Sequence, residues 1–312
     1  MPILLEVIPM ETTKRPVPLH IGKPAWLKTP IPTGSVYFAI KKDLTERKLP
    51  TVCEEAKCPN IGVCWNTRTA TFMILGDTCT RACRFCHIKT GNPQGWLDMQ
   101  EPMQVAESAK GMNLSYIVLT MVNRDDLPDG GAAHARQVIE AVREVNPGIR
   151  VEFLAGDFQG QEEPLDTVLQ SGLDVFAHNV ETVRRLTPRV RDARAHYDQS
   201  LHVLDQVKKK APTLFTKSAI MLGLGETREE IRATLQDLRA VEVDLVTIGQ
   251  YMRPTKQHLA IKEWVHPDVF DAIKQEALEL GFVAVASGPL VRSSYKASEF
   301  FSQAQLVREG RP

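Results

Sequence analysis

The sequence predicts an α/β fold on two observations. From residue 69 onward, short apolar β-rich runs alternate with longer segments of helical period, and all six cysteines stand close before or after the first of those runs. Six strand–helix units in succession imply a parallel sheet with right-handed crossovers. Such a sheet stays open or curls toward a barrel, and in either form ligands sit at the C-terminal ends of the strands.

Taken in order, residues 1–50 carry eight prolines and little periodic apolar pattern, which reads as an extended, locally basic wrapping arm. The strand candidates are TATFMIL (69–75), LSYIVLTMV (114–122), RVEFLA (150–155), LDVFAHN (173–179), LFTKSAIML (214–222) and DLVTIGQYM (244–252). Helix candidates lie near 102–111, 132–145, 163–171, 198–210 and 227–241, and another follows at 267–280. In the fifth, Thr227 can cap the first turn with Glu230 three residues on, and Ile231, Leu235 and Leu238 repeat at helical spacing. In the last, Pro267 suits a first turn, Phe270, Ile273, Ala277 and Leu280 make one face, and Gly281 can end it. A final run, FVAVAS (282–287), precedes a tail read as irregular.

A chain of 312 residues buries roughly three quarters of its unfolded surface, so it needs no metal merely to have a core. The composition, 43% hydrophobic and 24% charged, is that of a globular protein, and no apolar run approaches the ~20 residues that span a bilayer. Glu6 and Pro9 interrupt the N-terminal apolar stretch too early for a secretory signal, so the expectation is a cytoplasmic protein with reduced thiols. Lys plus Arg and Asp plus Glu balance at 38 each, so no basic field favours nucleic acid.

The cysteines form two triplets. Cys79, Cys83 and Cys86, in CTRACRFC, follow the first strand directly; Cys53, Cys58 and Cys64, in CEEAKCPNIGVC, precede it. Four thiolates usually hold a four-iron cube, so a triplet leaves one iron open to chemistry. The competing reading of the second triplet is a structural zinc site with His87 as fourth ligand, but adjacent ligands at 86 and 87 fit a tetrahedron poorly. Its 3-then-2 spacing, Phe85 just before the last cysteine and the βα alternation behind it resemble the radical S-adenosylmethionine superfamily. That resemblance implies that S-adenosylmethionine chelates the open iron and is cleaved to a deoxyadenosyl radical, chemistry suited to unactivated C–H bonds.

The first triplet has a 4-then-5 spacing that matches no zinc pattern. Together with CTRACRFC, VNRDDLPDGGA (122–132), HNVETV (178–183), IMLGLGET (220–227), IGQYMRPT (248–255) and SGPLVRSSY (287–295), in that order, it is similar to the lipoyl synthase family. The likeness runs from about residue 22 to residue 296. It implies a partial (β/α)6 TIM-like barrel over 69–288, an N-terminal arm and auxiliary-cluster segment over 1–68, and a C-terminal tail over 289–312. It also implies two 4Fe-4S clusters and insertion of two sulfurs at C6 and C8 of an octanoyl chain on a lysine of a lipoyl carrier protein. Two S-adenosylmethionine molecules are spent, and the cluster on Cys53, Cys58, Cys64 and, by position in the RSSY motif, Ser294 is the sulfur donor. An alkoxide is a harder ligand than a thiolate and the easier one to lose.

The same resemblance assigns cofactor contacts at strand ends. Phe85 serves either as ordinary core or beside the adenine, Asn179 and Glu181 suit the ribose hydroxyls, and Arg194, with Lys217 within the fifth strand, suits the methionine carboxylate. Asp125 and Asp126, in a DDLPDGG turn, serve equally as turn formers. Expected partners are octanoylated lipoyl domains of 2-oxoacid dehydrogenases, the glycine cleavage H protein and an electron donor such as ferredoxin or flavodoxin; the chain is expected to be a monomer, without nucleic acid or membrane. Two other readings compete. One is another two-cluster sulfur-inserting enzyme of biotin synthase or methylthiotransferase type, against which the RSSY tail and the 4-then-5 triplet weigh. The other is an electron-transfer protein, for which six cysteines cannot supply eight ligands.

Overall fold

The computed structural model describes residues 22–47, 49–56, 58–66 and 69–310; the first 21 residues of the expected arm lie outside them. The arm's remainder is not extended. Helix α1 (Ser35–Glu46) buries Tyr37, Ile40 and Leu44, a stripe three and four residues apart that the surrounding prolines and lysines mask in the sequence. Helix α2 (Val52–Glu55) is capped by Thr51, whose side chain accepts from the Glu54 N–H. Helix α3 (Ile61–Asn66) packs on α1 through the Tyr37 and Trp65 rings, 5.2 Å apart.

The barrel follows. Strand β1 (Thr71–Ile74) leads into a small parallel pair, β2 (Thr78–Cys79) and β3 (Lys89–Thr90), that brackets the second triplet. Then come α4 (Glu101–Gly111), β4 (Tyr116–Met121), α5 (Ala132–Val145), β5 (Arg150–Leu154), α6 (Glu162–Leu169), β6 (Val175–Ala177), α7 (Thr187–Val190) and α8 (Tyr197–Lys210). The last units are β7 (Phe215–Leu222), α9 (Arg228–Ala240), β8 (Leu245–Gln250), α10 (Pro267–Glu279) and β9 (Ala284–Ser287). Both halves of the Thr227–Glu230 capping box form, and Gly281 ends α10 with φ +92°.

Among the described residues seven strands pair in parallel in the order β1-β4-β5-β6-β7-β8-β9. The run at 282–287 is therefore a seventh barrel strand, and β1 and β9 are the two edges of the partial barrel. The edge at β1 is covered by the auxiliary segment, since Thr51 bridges Phe72 in antiparallel sense and the Met73 N–H donates to Pro50 O at 3.0 Å. Alternation along the strands sets Ile117, Phe153, Phe176, Ile220 and Val246 in the main core with the helices, while Tyr116, Val175, Phe215 and Leu245 belong to a second cluster.

That second cluster is completed by a helix where the sequence reads as an irregular tail. Helix α11 (Ala297–Arg308) buries Ala297, Phe300, Phe301 and Ala304 at helical spacing against the first residues of the strands. It closes the N-terminal end of the barrel and leaves the C-terminal end open.

Candidate active site

At the C-terminal ends of the strands lies a cavity of about 480 Å³ that meets both triplet segments. Cys79, Cys83 and Cys86 lie on one wall with Phe85. The cavity is also lined by Val52, Ala56 and Pro59, neighbours of Cys53 and Cys58, and by Arg292 and Ser293 of the tail. All six cysteines are free thiols.

The loop carrying the second triplet is fastened by charge. Arg81, between Cys79 and Cys83, is 3% exposed and grips Asp157 at 2.6 and 2.7 Å and Asp125 at 2.8 and 3.0 Å. Burial disfavours the Asp157 carboxylate, yet Arg81 overcomes it and holds its pKa near 2. Beyond the loop, Ala82 N–H donates to Asp192, Asp192 N–H donates to the Cys83 sulfur at 3.3 Å, and Arg84 N–H donates to Val190 O.

The first triplet is held by neutral contacts and by the returning tail. Asn60 Nδ2 donates to Leu290 O at 2.6 Å, and Thr71 Oγ1 donates to Ser294 Oγ at 2.8 Å. Thr71 and Trp65 beside Cys53, and the Lys296 N–H beside Cys64, each favour the thiolate, against the larger effect of burial. The tail reaches there across Gly249 of β8, where a Cβ would stand 2.0 Å from Val291 O, so no larger residue leaves that path open. The two segments also touch, for His87 Nδ1 pairs with Glu55 O at 2.8 Å, and His258, after β8, pairs through Nε2 with Cys86 O at 2.9 Å.

The donor sets suit iron–sulfur clusters. Burial, then Cys58, pushes the Cys53 thiol up to about 11; burial, then Cys58 and Cys53, pushes Cys64 to about 12; and burial, then Cys83 and Cys79, pushes Cys86 to about 12. The thiols of each triplet are thus close enough to oppose one another's ionisation, and a cationic group between them reverses that sign. Among the described residues no three His, Cys, Asp or Glu side chains converge as ligands of a single metal ion.

Of the expected cofactor contacts, Phe85, Asn179 and Glu181 line the cavity. Asn179 Nδ2 donates to Glu181 Oε1 at 3.0 Å, leaving the buried Asn179 Oδ1 without a partner. Glu181 has φ +67°, a strained position for a non-glycine residue, and burial raises its pKa. Two expectations are corrected. Arg194 is not on the cavity wall; its side chain is about half exposed and bonded to Asp192, Asp125 and Thr80 O. Lys217 lies lower in the barrel, 1% exposed, with its ammonium on Glu152 at 2.7 Å, and Glu152 also accepts from Tyr116 Oη at 2.7 Å. Alternation puts Ala219 and Met221 above it on the wall, so position within the strand, not residue type, decides.

In Arg194's place the cavity takes Arg191, which the sequence reading passed over. Arg191 is 8% exposed, and its Nη1 donates to Ser200 Oγ at 2.7 Å. Ser200 Oγ pairs with His178 Nε2 at 2.9 Å, and His178 Nδ1 with Ala155 O at 3.0 Å. Burial, then Arg191, lowers the His178 pKa to about 4, so the ring is neutral. Its proton then sits on Nδ1, facing the carbonyl. Both arginines occupy one irregular loop, where no period tells which of them faces inward.

The radical SAM superfamily model matches residues 73–238, and the N-terminal domain model of lipoyl synthase matches residues 10–58. A lipoyl synthase of Deinococcus radiodurans is 56% identical over 286 residues, 92% of this chain and 86% of its own. One of Thermus thermophilus is 52% identical over 305 residues, covering 96% and 94%. A mitochondrial lipoyl synthase of Schizosaccharomyces pombe is 56% identical over 300 residues, covering 94% and 81%. Among solved structures the fold is similar to methylornithine synthase, with TM-score 0.54 at 14% identity over 91% of each chain. The hydrogenase maturase HydG of Carboxydothermus hydrogenoformans gives TM-score 0.54 at 12% identity, covering 88% of this chain and 70% of its own.

Proposed function

The chain belongs to the lipoyl synthase family of the radical SAM superfamily, and from that premise we propose how its residues divide the insertion of two sulfurs at C6 and C8 of a protein-bound octanoyl group. Cys79, Cys83 and Cys86 hold one 4Fe-4S cluster and leave one iron for S-adenosylmethionine. Bound there, the pair supplies a carbon-centred oxidant that removes hydrogen atoms from the acyl chain. Phe85 packs beside the adenine, and Asn179 Oδ1 and Glu181 accept from the ribose hydroxyls. Arg191, oriented by Ser200 and His178, takes the methionine carboxylate.

Cys53, Cys58, Cys64 and Ser294 hold the second 4Fe-4S cluster, which is the sulfur substrate and is dismantled in use. The apolar wall of Val52, Ala56 and Met221 receives the octanoyl chain and excludes water. The observation that supports this reading is a cavity lined by Cys79, Cys83 and Cys86 and also by Val52, Ala56, Pro59 and Ser293, chain neighbours of Cys53, Cys58 and Ser294, which do not themselves line it.

The carriers we propose are lipoyl domains of 2-oxoacid dehydrogenases and the glycine cleavage H protein. The electron donor is a ferredoxin or flavodoxin, and the enzyme acts as a monomer in the cytoplasm. Among the described residues no helix is long and apolar enough to cross a membrane. Anaerobic incubation with dithionite, S-adenosylmethionine and an octanoyl-lysyl peptide, read by mass, is expected to add two sulfurs per peptide, and anaerobic reconstitution to give about eight irons per chain. A product carrying no sulfur, or a preparation binding zinc in place of iron, overturns the proposal.

A further inference from the structure

Thr71 stands where barrel, first triplet and tail meet. It opens β1 at 4% exposure, and its hydroxyl donates to Ser294 Oγ at 2.8 Å across 223 residues of chain. The same Thr71 stands beside Cys53, whose thiolate it favours against the larger effect of burial. Among the described residues Thr71 is the one side chain hydrogen-bonded to the Ser294 hydroxyl.

The two partners differ in how firmly they are placed. Thr71 is β-branched, restricted at χ1 and fixed in register with Val118 of β4. Ser294 lies in the turn between β9 and α11, where Tyr295 N–H donates to Arg292 O at 3.0 Å, and its side chain has no such constraint of its own. A hydroxyl carries one proton and two lone pairs. With its one hydroxyl proton given to Ser294, Thr71 meets Cys53 through its backbone N–H, so one residue orders both neighbours.

We infer that Thr71 is a positioning residue for the serine oxygen: it holds Ser294 against Cys53 and sets how readily that oxygen is kept at, or released from, the first triplet. The inference rests on the reading of Ser294 as a cluster ligand. It adds that the hold comes from the barrel's first strand, not from the tail itself.

Thr71→Val keeps shape and removes the hydroxyl, and Thr71→Ser keeps the hydroxyl. In the cluster-free chain, amide hydrogen exchange over residues 292–296 is expected to quicken roughly fivefold in Thr71→Val, the worth of one ordinary hydrogen bond, and to stay at the parent rate in Thr71→Ser. In the reconstituted enzyme, iron loss to a chelator quickens in Thr71→Val by a similar factor, and more deoxyadenosine is spent per sulfur inserted. Equal behaviour of the Val and Ser variants in exchange, or parent-like exchange and iron loss in Thr71→Val, overturns the inference. Ser294→Ala run alongside separates the two ideas. If it quickens iron loss and Thr71→Val does not, the ligand reading stands and the positioning role fails; if it leaves iron loss unchanged, the ligand reading fails and exchange alone judges Thr71.

Discussion

The loop of Cys79, Cys83 and Cys86 is tied to the barrel by a buried arginine and two carboxylates, whereas the segment of Cys53, Cys58 and Cys64 is tied by single neutral hydrogen bonds and by a tail that returns from residues 290–296. The difference follows what each must do. A loop that serves every turnover gains from contacts that cost several kcal/mol to break. In the function proposed above the first triplet's cluster is consumed, and bonds of about 1 kcal/mol each let such a segment open and refill. The charged clamp also lies within one continuous stretch of barrel, while the neutral one joins the two ends of the described chain.

The largest effect is expected from the clamp. Arg81→Met leaves the buried Asp157 without a cation and Asp125 with only the half-exposed Arg194, and the loss is expected to be about 3–5 kcal/mol of stability with no deoxyadenosine formed. Chemical denaturation of the cluster-free chain measures the first and a product assay the second. An Arg81→Met protein that melts and cleaves S-adenosylmethionine like the parent removes the contrast between the two triplets.

Ser294→Ala tests the neutral side. If outer-sphere contacts already cost 10–100-fold, removal of a ligand is expected to lower sulfur insertion by roughly 100-fold or more, while deoxyadenosine continues to form. Lipoyl product at the parent rate would falsify the serine assignment.

Acid should act through a buried histidine at the cavity. His178 stays neutral in the folded chain down to about pH 4, whereas an unfolded histidine titrates near 6.5. Below pH ~6.5 the unfolded state therefore binds a proton that the folded state refuses. The stability present above that pH is lost as pH falls toward 4, by up to about 3 kcal/mol. Denaturation midpoints at pH 7 and pH 5 measure it, and His178→Asn should flatten the difference; an unchanged slope means that other groups set it.

The smallest effect is expected at the seam between the segments. His87→Ala removes the bond to Glu55 O, worth about 1 kcal/mol, and should raise the deoxyadenosine spent per sulfur inserted roughly fivefold without loss of iron. An unchanged ratio means that His87 does not set the spacing between the segments.

Where the sequence reading succeeded, a strong local signal was available. The capping box at Thr227 and the stop at Gly281 need only neighbours along the chain, and the strand runs needed only their apolar β-rich character. It failed where facing was decided from afar. Tyr37, Ile40 and Leu44 looked like an arm until α3 supplied a partner, and Phe300 and Phe301 looked like a tail until the strands' lower ends did. Arg191 and Arg194 are alike in type and three residues apart in an irregular loop, so only the packing of Ser200 and His178 tells which enters the cavity. Lys217 was misplaced by one layer of a strand, and Thr71 carried no signal because a threonine opening a strand is unremarkable.

By itself the sequence determined the family to which this chain belongs, because two cysteine spacings and the motifs that follow them in order are properties of residue order. It determined the parallel α/β scaffold for the same reason, since strand and helix periods are local. The tertiary structure decided how the triplets are made unequal. Arg81 meets Asp157, Thr71 meets Ser294 and Val291 crosses Gly249 over separations of 76, 223 and some 40 residues, and contacts of that range are set by the closing of the barrel and the return of the tail.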